Sequence, residues 1–283
     1  MTAQLGEQSY GKSRVRVSRI TRGADRQEIQ ELTVDLSLDG DFSAAYTHGD
    51  NSAVIPTDTM KNTVYALAQQ HGIGSIETFA GRLAKHFLDR FSHVGSAVVH
   101  IEERPWSRIV IDGNEHPHSF VSAGSEVWCC ETRITRNETH LQSGLKGLQV
   151  LKTTGSGFSK FLKDGFTTLK ETDDRIFATT IEGEWPCVNL AADWPAARRA
   201  IRAALLKVFA ENFSSSVQAT LYQMATAAFS SCPLIDEISF TMPHQHHLPI
   251  NFGPLGLAGD NSIFVPTDEP HGLIRATVKR GER

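Results

Sequence analysis

No run of apolar residues in this chain approaches the ~20 that a helix needs to cross a bilayer, and nothing in it reads as a membrane span. Cysteine is scarce. Cys129 and Cys130 are adjacent while Cys187 and Cys232 stand alone, a spacing that fits neither a disulfide framework nor a C-x-x-C metal or redox motif, so reduced thiols are expected. Positive charge is not in excess, since 28 Lys and Arg face 32 Asp and Glu for a net charge of -4. That balance gives no general attraction to nucleic acid or to an anionic membrane. The glycine-rich stretch Gly253–Gly259 follows a strand pattern but opens no helix, which sets aside a dinucleotide-binding loop. The opening residues Met1–Gln8 carry no apolar signal-peptide core, and the last residues, Lys279–Arg283, do not spell a peroxisomal Ser-Lys-Leu address. A cytoplasmic protein is therefore expected.

What the chain does have is the composition of a globular protein. With 40% apolar and 21% charged residues over 283 positions, it can bury the core of one large or two medium domains. Val15 and Val17 alternate with polar neighbours, as do Leu32, Val34, Leu36 and Leu38, and this period of two predicts two strands with one wet face. Helical spacing then takes over. Val64, Leu67 and Ala68 predict a helix with Thr57 and Asp58 as cap candidates and Gly72-Ile73-Gly74 as its end. Ser75 is placed to cap a second helix, whose apolar face carries Ile76, Phe79, Leu83, Phe87 and Phe91. Strand patterns return at Ala97–Ile101 and around Phe120–Thr132.

The second half repeats this order. Leu148–Leu151 and Arg175–Ile181 read as strands. Asp193 and Pro195 open a long helix with Trp194, Ala197, Ile201, Leu205, Val208 and Phe209 on one face and Arg198, Arg199 and Arg202 on the other. A helix with Val217, Leu221, Met224 and Ala228 in line follows. Alternation at Ile238, Phe240 and Met242 and at Ile274, Ala276 and Val278 closes the series. Strand, strand, helix, helix, strand, strand thus occurs twice, which predicts an α+β chain of two tandem units, residues 10–137 and 138–283, with helices on one face of antiparallel sheets. The polar sheet faces and open edges of such units call for partners.

Six motifs give this pattern a chemistry. Tyr10-Gly11-Lys12 stands near the start, and Thr57-Asp58-Thr59-Met60-Lys61-Asn62 follows the apolar run ending at Pro56. His116–Phe120, Leu169–Arg175, Ser216–Thr220 and Pro243-His244-Gln245-His246 come after them in order. In these segments and their spacing, from about Tyr10 to the carboxyl end, the chain resembles the urate oxidases (uricases). The resemblance implies tandem tunnelling folds (T-folds) whose subunits pair edge to edge into a barrel and form a homotetramer around a tunnel. It also implies active sites at subunit interfaces, urate and O2 as substrates, and no metal or organic cofactor.

Carried over residue by residue, the resemblance gives Lys12, Thr57 and His246 a proton relay that makes a urate dianion able to reduce oxygen. The residue types suit the task, because a lysine beside a hydroxyl lowers the cost of deprotonation and histidine can receive and return the proton near neutrality. Arg175 and Gln218 correspond to the purine anchors, for which a guanidinium fork and a carboxamide offer paired hydrogen bonds. Phe158 corresponds to the ring that stacks on the substrate. Asp58 and Val217 would contribute backbone amides, and Thr57 counts among the substrate-binding residues as well as in the relay.

At one position the chain departs from the family pattern. His244 stands where urate oxidases usually carry an asparagine that places oxygen or water over the purine, a site shared with Thr57. An imidazole is bulkier than a carboxamide and charges near pH 6.5, so activity is expected to fall on the acid side. Two other readings fit the residues: a purine or pterin cyclohydrolase, for which the cysteines are not arranged as zinc ligands, and a non-catalytic purine-binding protein. A metal site at His244, His246 and His247 is disfavoured by the lack of a second ligand group with suitable spacing.

Overall fold

Leu32, Val34, Leu36 and Leu38 turn one face of a strand into the floor of a core, and all four are buried in the computed structural model, which describes residues 3–281. Met1, Thr2, Glu282 and Arg283, on which the expectations about the chain's ends partly rest, lie outside the described residues. The chain divides into two compact units: Met1–Gly144 with Pro186–Pro195, and Leu145–Trp185 with Ala196–Arg283.

The first unit opens with β1 (Ser9–Arg22) and β2 (Gln27–Gly40), which pair antiparallel. Three helices follow, α1 (Ser43–His48), α2 (Thr57–His71) and α3 (Ile76–Arg90). Next come β3 (Val94–Arg104), the hairpin of β4 (Trp106–Ile111) and β5 (Asn114–Ser122), and β6 (Val127–Thr135). β2 pairs with β3 and β3 with β6, all antiparallel. The core lies between this sheet and the helices: Met60, Val64 and Leu67 from α2 and Phe79, Leu83 and Phe87 from α3 close over the β2 leucines. At about 1.5 to 3 kcal/mol for each large apolar side chain, this stripe outweighs the weak helix propensities of α2. Ser75 caps α3 as its sequence foretells, its side chain accepting from Thr78 N–H.

β7 (Thr139–Lys152) runs across the boundary between the units. The second unit continues with β8 (Phe177–Pro186), α4 (Trp194–Glu211), α5 (Val217–Ser231), β9 (Glu237–Pro249) and β10 (Phe264–Lys279). β8 pairs with β9 and β9 with β10, both antiparallel. Phe177, Ile181, Ile201, Leu205, Phe209, Leu221, Met224 and Phe240 are buried.

The α+β pattern of antiparallel strands and helices therefore holds. Three local expectations need correction. Arg198, assigned to the wet face of its helix, is buried at 4% exposure, because it stands four residues after Trp194 and three before Ile201, both fully buried, and so shares their face of α4. Phe91 lies outside α3, as its C-cap in extended conformation. Thr57 is not a cap: Pro56 occupies that position without a side-chain hydrogen bond, and Thr57 is the first helical residue. Proline's fixed φ suits a helix entry but offers no acceptor side chain. Among the described residues no helix is long and apolar enough to cross a membrane.

Candidate active site

The candidate residues fall into two groups, one in each unit. In the first unit, Lys12 sits on β1 opposite Leu36 of β2, half-buried, and Thr57 opens α2. Gly11 is required where it stands, since a Cβ there would fall 1.8 Å from the Leu36 carbonyl oxygen. Immediately after Lys12 the register of β1 slips, with Arg14 at φ 59°. The Arg14 N–H is secured by the Asp35 carboxylate at 2.7 Å. The bulge interrupts regular pairing directly after the lysine, and pairing resumes at Val15.

Asp58 is exposed and engaged. Lys61 Nζ and Asn62 Nδ2 both donate to its carboxylate, the latter at 2.9 Å. These partners, Lys61 foremost and the more distant Lys12 ammonium least, hold its pKa below the usual carboxylate range. Asp58 is thus an anion whose side chain faces its own helix. Its backbone N–H and that of Thr57 are among the first-turn amides of a helix without a side-chain cap, which are donors open to a ligand.

In the second unit, two sequence-distant segments hold the purine-binding candidates together. Phe158 N–H donates to the Thr172 carbonyl at 2.7 Å and receives the return bond from Thr172 N–H at 3.0 Å. Arg175 N–H donates to the Ser156 carbonyl at 2.8 Å. The outcome is a guanidinium whose carbon stands 5.2 Å from the centroid of the Phe158 ring, and Phe158 in turn stacks on Phe161 at 5.0 Å. Ser156 also bridges to Ser214, and Gly157 N–H donates to the Ser214 carbonyl. Thr220 donates its hydroxyl to Ser214 Oγ at 2.7 Å. This buried hydroxyl pair ties the start of α5, where Val217 and Gln218 lie, to the segment that bears Phe158. Ser216 caps α5 through Ala219 N–H, leaving the Val217 and Gln218 amides uncommitted to that cap. The Gln218 side chain is exposed.

β9 brings in the histidines. His244 is 7% exposed, pairs with Thr179 of β8 and Gly272 of β10, and sets its ring edge-on to Phe177 at 5.5 Å. The His246 ring lies 4.7 Å from it. Thr179 Oγ1 donates to the Pro243 carbonyl at 2.8 Å, which pins the strand just before the imidazole. Burial first, then the Arg175 charge, then His246 push the His244 pKa down from 6.5 to about 4. The expectation that this imidazole charges near pH 6.5 is therefore wrong. A protonated ring would be desolvated beside a guanidinium, and the neutral form wins.

Phe158, Arg175, His244 and His246 border a cavity of about 150 Å³, together with Leu169, Lys170, His247 and others. It is smaller than the roughly 300 to 1,000 Å³ of pockets for drug-sized ligands, so it suits a small molecule. Arg175 Nε and His247 Nδ1 are buried and without hydrogen-bond partners among the described residues, and burial pushes the Arg175 pKa down. A buried guanidinium N–H left unpaired costs free energy that a ligand acceptor would recover. Lys170 and His247 were not foreseen as lining residues, although both fall within or beside the motifs. A larger groove of about 530 Å³ in the first unit, lined by Arg82, Lys85, Arg136 and Leu190 among others, contains none of the candidate residues. Among the described residues no group of three or more His, Cys, Asp or Glu is arranged to hold a metal ion.

Known proteins resemble the chain along nearly its whole length. A family model described as Uricase matches residues 8–132 and 141–275, and every candidate residue lies inside the matched stretches. The uricase of Arthrobacter globiformis is 42% identical over 276 residues, which span 98% of this chain and 90% of that protein. That of Danio rerio is 39% identical over 280 residues, covering 97% and 94%. A crystal structure of the Arthrobacter globiformis uricase superimposes with a TM-score of 0.91 over 100% of this chain and 97% of its own. A urate oxidase from Bacillus sp. TB-90, 23% identical with a TM-score of 0.82, shares the fold. With a family model matched over most of its length and uricases 39% to 42% identical along nearly all of it, the chain belongs to the uricase family.

Proposed function

We propose that the chain acts as a urate oxidase whose second unit grips the purine and supplies His246, and whose first unit supplies Lys12 and Thr57 to the proton relay. Family membership carries the activity. For the placement of the substrate, the observation with most weight is the half-buried Arg175, whose guanidinium stands over the Phe158 ring with its buried Nε unpartnered. Urate is planar and rich in carbonyl and ring-nitrogen acceptors, so it can stack on Phe158 while Arg175 and Gln218 pair with its edge. The amides of Val217 and Asp58 add fixed donors.

Urate gives up two electrons and two protons to O2, which leaves as hydrogen peroxide, and water supplies the hydroxyl of 5-hydroxyisourate. Forming the electron-rich dianion is the task of Lys12 and Thr57, with His246 accepting and returning the proton. His244, buried with its pKa pushed down to about 4, stands at the family asparagine position that helps place oxygen or water over the purine, and in its neutral form it offers one donor and one acceptor. We read 10–137 and 138–283 as the two T-fold repeats. Paired subunits would close a barrel edge to edge and a homotetramer would enclose the tunnel, with Lys12 and Thr57 of one subunit facing Phe158, Arg175 and Gln218 of its neighbour.

Following the urate absorbance band in aerated buffer, with oxygen uptake and peroxide recorded in parallel, tests the activity. Equimolar loss of urate and oxygen is expected, unchanged by a chelator. Urate that binds without being consumed would leave a purine-binding protein, and activity abolished by the chelator would revive a metal-dependent reading.

A further inference from the structure

We propose that Tyr10 is a positioning residue, a clasp that fixes the distance between Lys12 and Thr57; this rests on the relay reading above. Tyr10 and Lys12 are two apart on β1, in the regularly paired stretch before the bulge, so their side chains leave the same face of the strand. Ile55 and Thr57 are likewise two apart, in the segment that delivers α2. The Tyr10 phenol joins β1 to the segment that leads into Thr57. It accepts from Ile55 N–H at 2.7 Å and donates to the Ile55 carbonyl at 3.1 Å, so a single hydroxyl satisfies both backbone groups of one residue.

The clasp is itself held. Phe42 meets the Tyr10 ring edge-on at 4.7 Å, with 86° between planes, and Phe42 is 1% exposed. The His93 ring packs on Phe42 at 5.4 Å, and His93 Nε2 lies 2.8 Å from the Ala53 carbonyl oxygen. Two side chains from outside the segment therefore hold its alternate residues, Ala53 and Ile55, just ahead of Pro56. Pro56 has a fixed φ of -55° and passes this constraint on to Thr57 at the first position of α2. Burial raises the Tyr10 pKa, so the phenol stays protonated and remains able to donate. Gly11 completes the device, because any side chain there would strike β2 and lift β1 away.

A clasp of this kind touches neither urate nor oxygen. It sets the reach between a lysine and a hydroxyl, to which proton transfer is steeply sensitive. Tyr10→Phe keeps the ring against Phe42 and removes both hydrogen bonds. The expected result is a fall in kcat of on the order of tenfold, with the Michaelis constant for urate within about twofold of the parent and faster amide hydrogen exchange at Ile55. A purely structural tyrosine would lower the melting temperature and leave kcat per folded protein unchanged, and that outcome overturns the proposal. So does a loss confined to the Michaelis constant. If Tyr10→Phe fails to fold, Phe42→Leu loosens the same ring and is expected to lower kcat by about threefold without moving the Michaelis constant; no change there is equally contrary. Lys12→Ala is run alongside. Parental turnover in Lys12→Ala removes the relay itself, whereas an inactive Lys12→Ala beside a fully active Tyr10→Phe removes only the clasp.

Discussion

The two halves of the candidate site treat their charges in opposite ways. In the first unit Asp58 and Lys61 form an exposed ion pair, with side chains 68% and 35% accessible, and Thr57 stands at the mouth of a helix without a side-chain cap. In the second unit the Arg175 guanidinium is desolvated and His244 is so deeply buried that it gives up its charge. Groups that must exchange protons need mobile partners and water nearby, while groups that must recognise a flat, acceptor-rich molecule gain from being dry and fixed.

This contrast can be broken most severely in the first unit. Lys12→Ala and Thr57→Ala are expected to lower kcat by on the order of a hundredfold with little change in the Michaelis constant, because they act on the proton rather than the purine. Steady-state kinetics at saturating oxygen decide it. A rise in the Michaelis constant at unchanged kcat would move these residues to the binding half.

Gln218→Ala should show the opposite signature. Losing a paired hydrogen bond weakens ground-state binding by roughly 1 to 3 kcal/mol, so the Michaelis constant should rise by between about fivefold and a hundredfold. An unchanged Michaelis constant would count against Gln218 as an anchor.

His244→Asn probes the dry half. Because the His244 pKa is depressed from 6.5 to about 4, the imidazole stays neutral in the folded protein while the unfolded chain already takes up its proton. The stability it contributes is therefore present above about pH 6.5 and is lost as the pH falls toward 4. This loss amounts to at most about 3 kcal/mol. The melting temperature of the parent should drop over that window more steeply than that of His244→Asn, whereas the pH dependence of kcat should coincide for the two from about pH 5.5 to 8. A steeper acid loss of turnover in the parent would show that the ring does charge in the working enzyme.

The smallest effect is expected from Thr220→Val, which leaves Ser214 Oγ buried and short of its donor. A destabilisation of about 1 to 3 kcal/mol, read by denaturant unfolding, should be accompanied by a modest rise in the Michaelis constant as the α5 terminus loosens. Parental stability would mean that the hydroxyl pair does not tie the two segments.

Much of this architecture was legible beforehand because it rests on short-range patterns. The leucine alternation of β2, the Ser75 cap and the order of strands and helices follow from neighbours within a few residues. The Tyr10-Gly11-Lys12 motif was visible too, yet its geometry was not. Nothing local says that the phenol reaches Ile55 or that a Gly11 side chain would meet the Leu36 carbonyl. The β4–β5 hairpin escaped notice as a pair because Val110, Ile111 and Val121 are exposed and Pro117 interrupts the alternation, leaving no buried stripe to read. The His244 pKa depends on burial and on Arg175, far away in sequence. A free imidazole value was the only one the chain itself could suggest.

The claim that one subunit supplies the proton-moving half and its neighbour the purine-binding half is tested most directly by complementation. Thr57→Ala and Arg175→Ala proteins, each inactive, are mixed one to one under conditions that exchange subunits, with exchange verified by mass, and urate oxidation is measured. If the site is shared, each mixed pair holds one doubly defective and one intact site, and activity should return to about a quarter of the parental value. A mixture that remains as inactive as either variant after complete exchange would contradict the shared site and place both halves of the chemistry within a single chain.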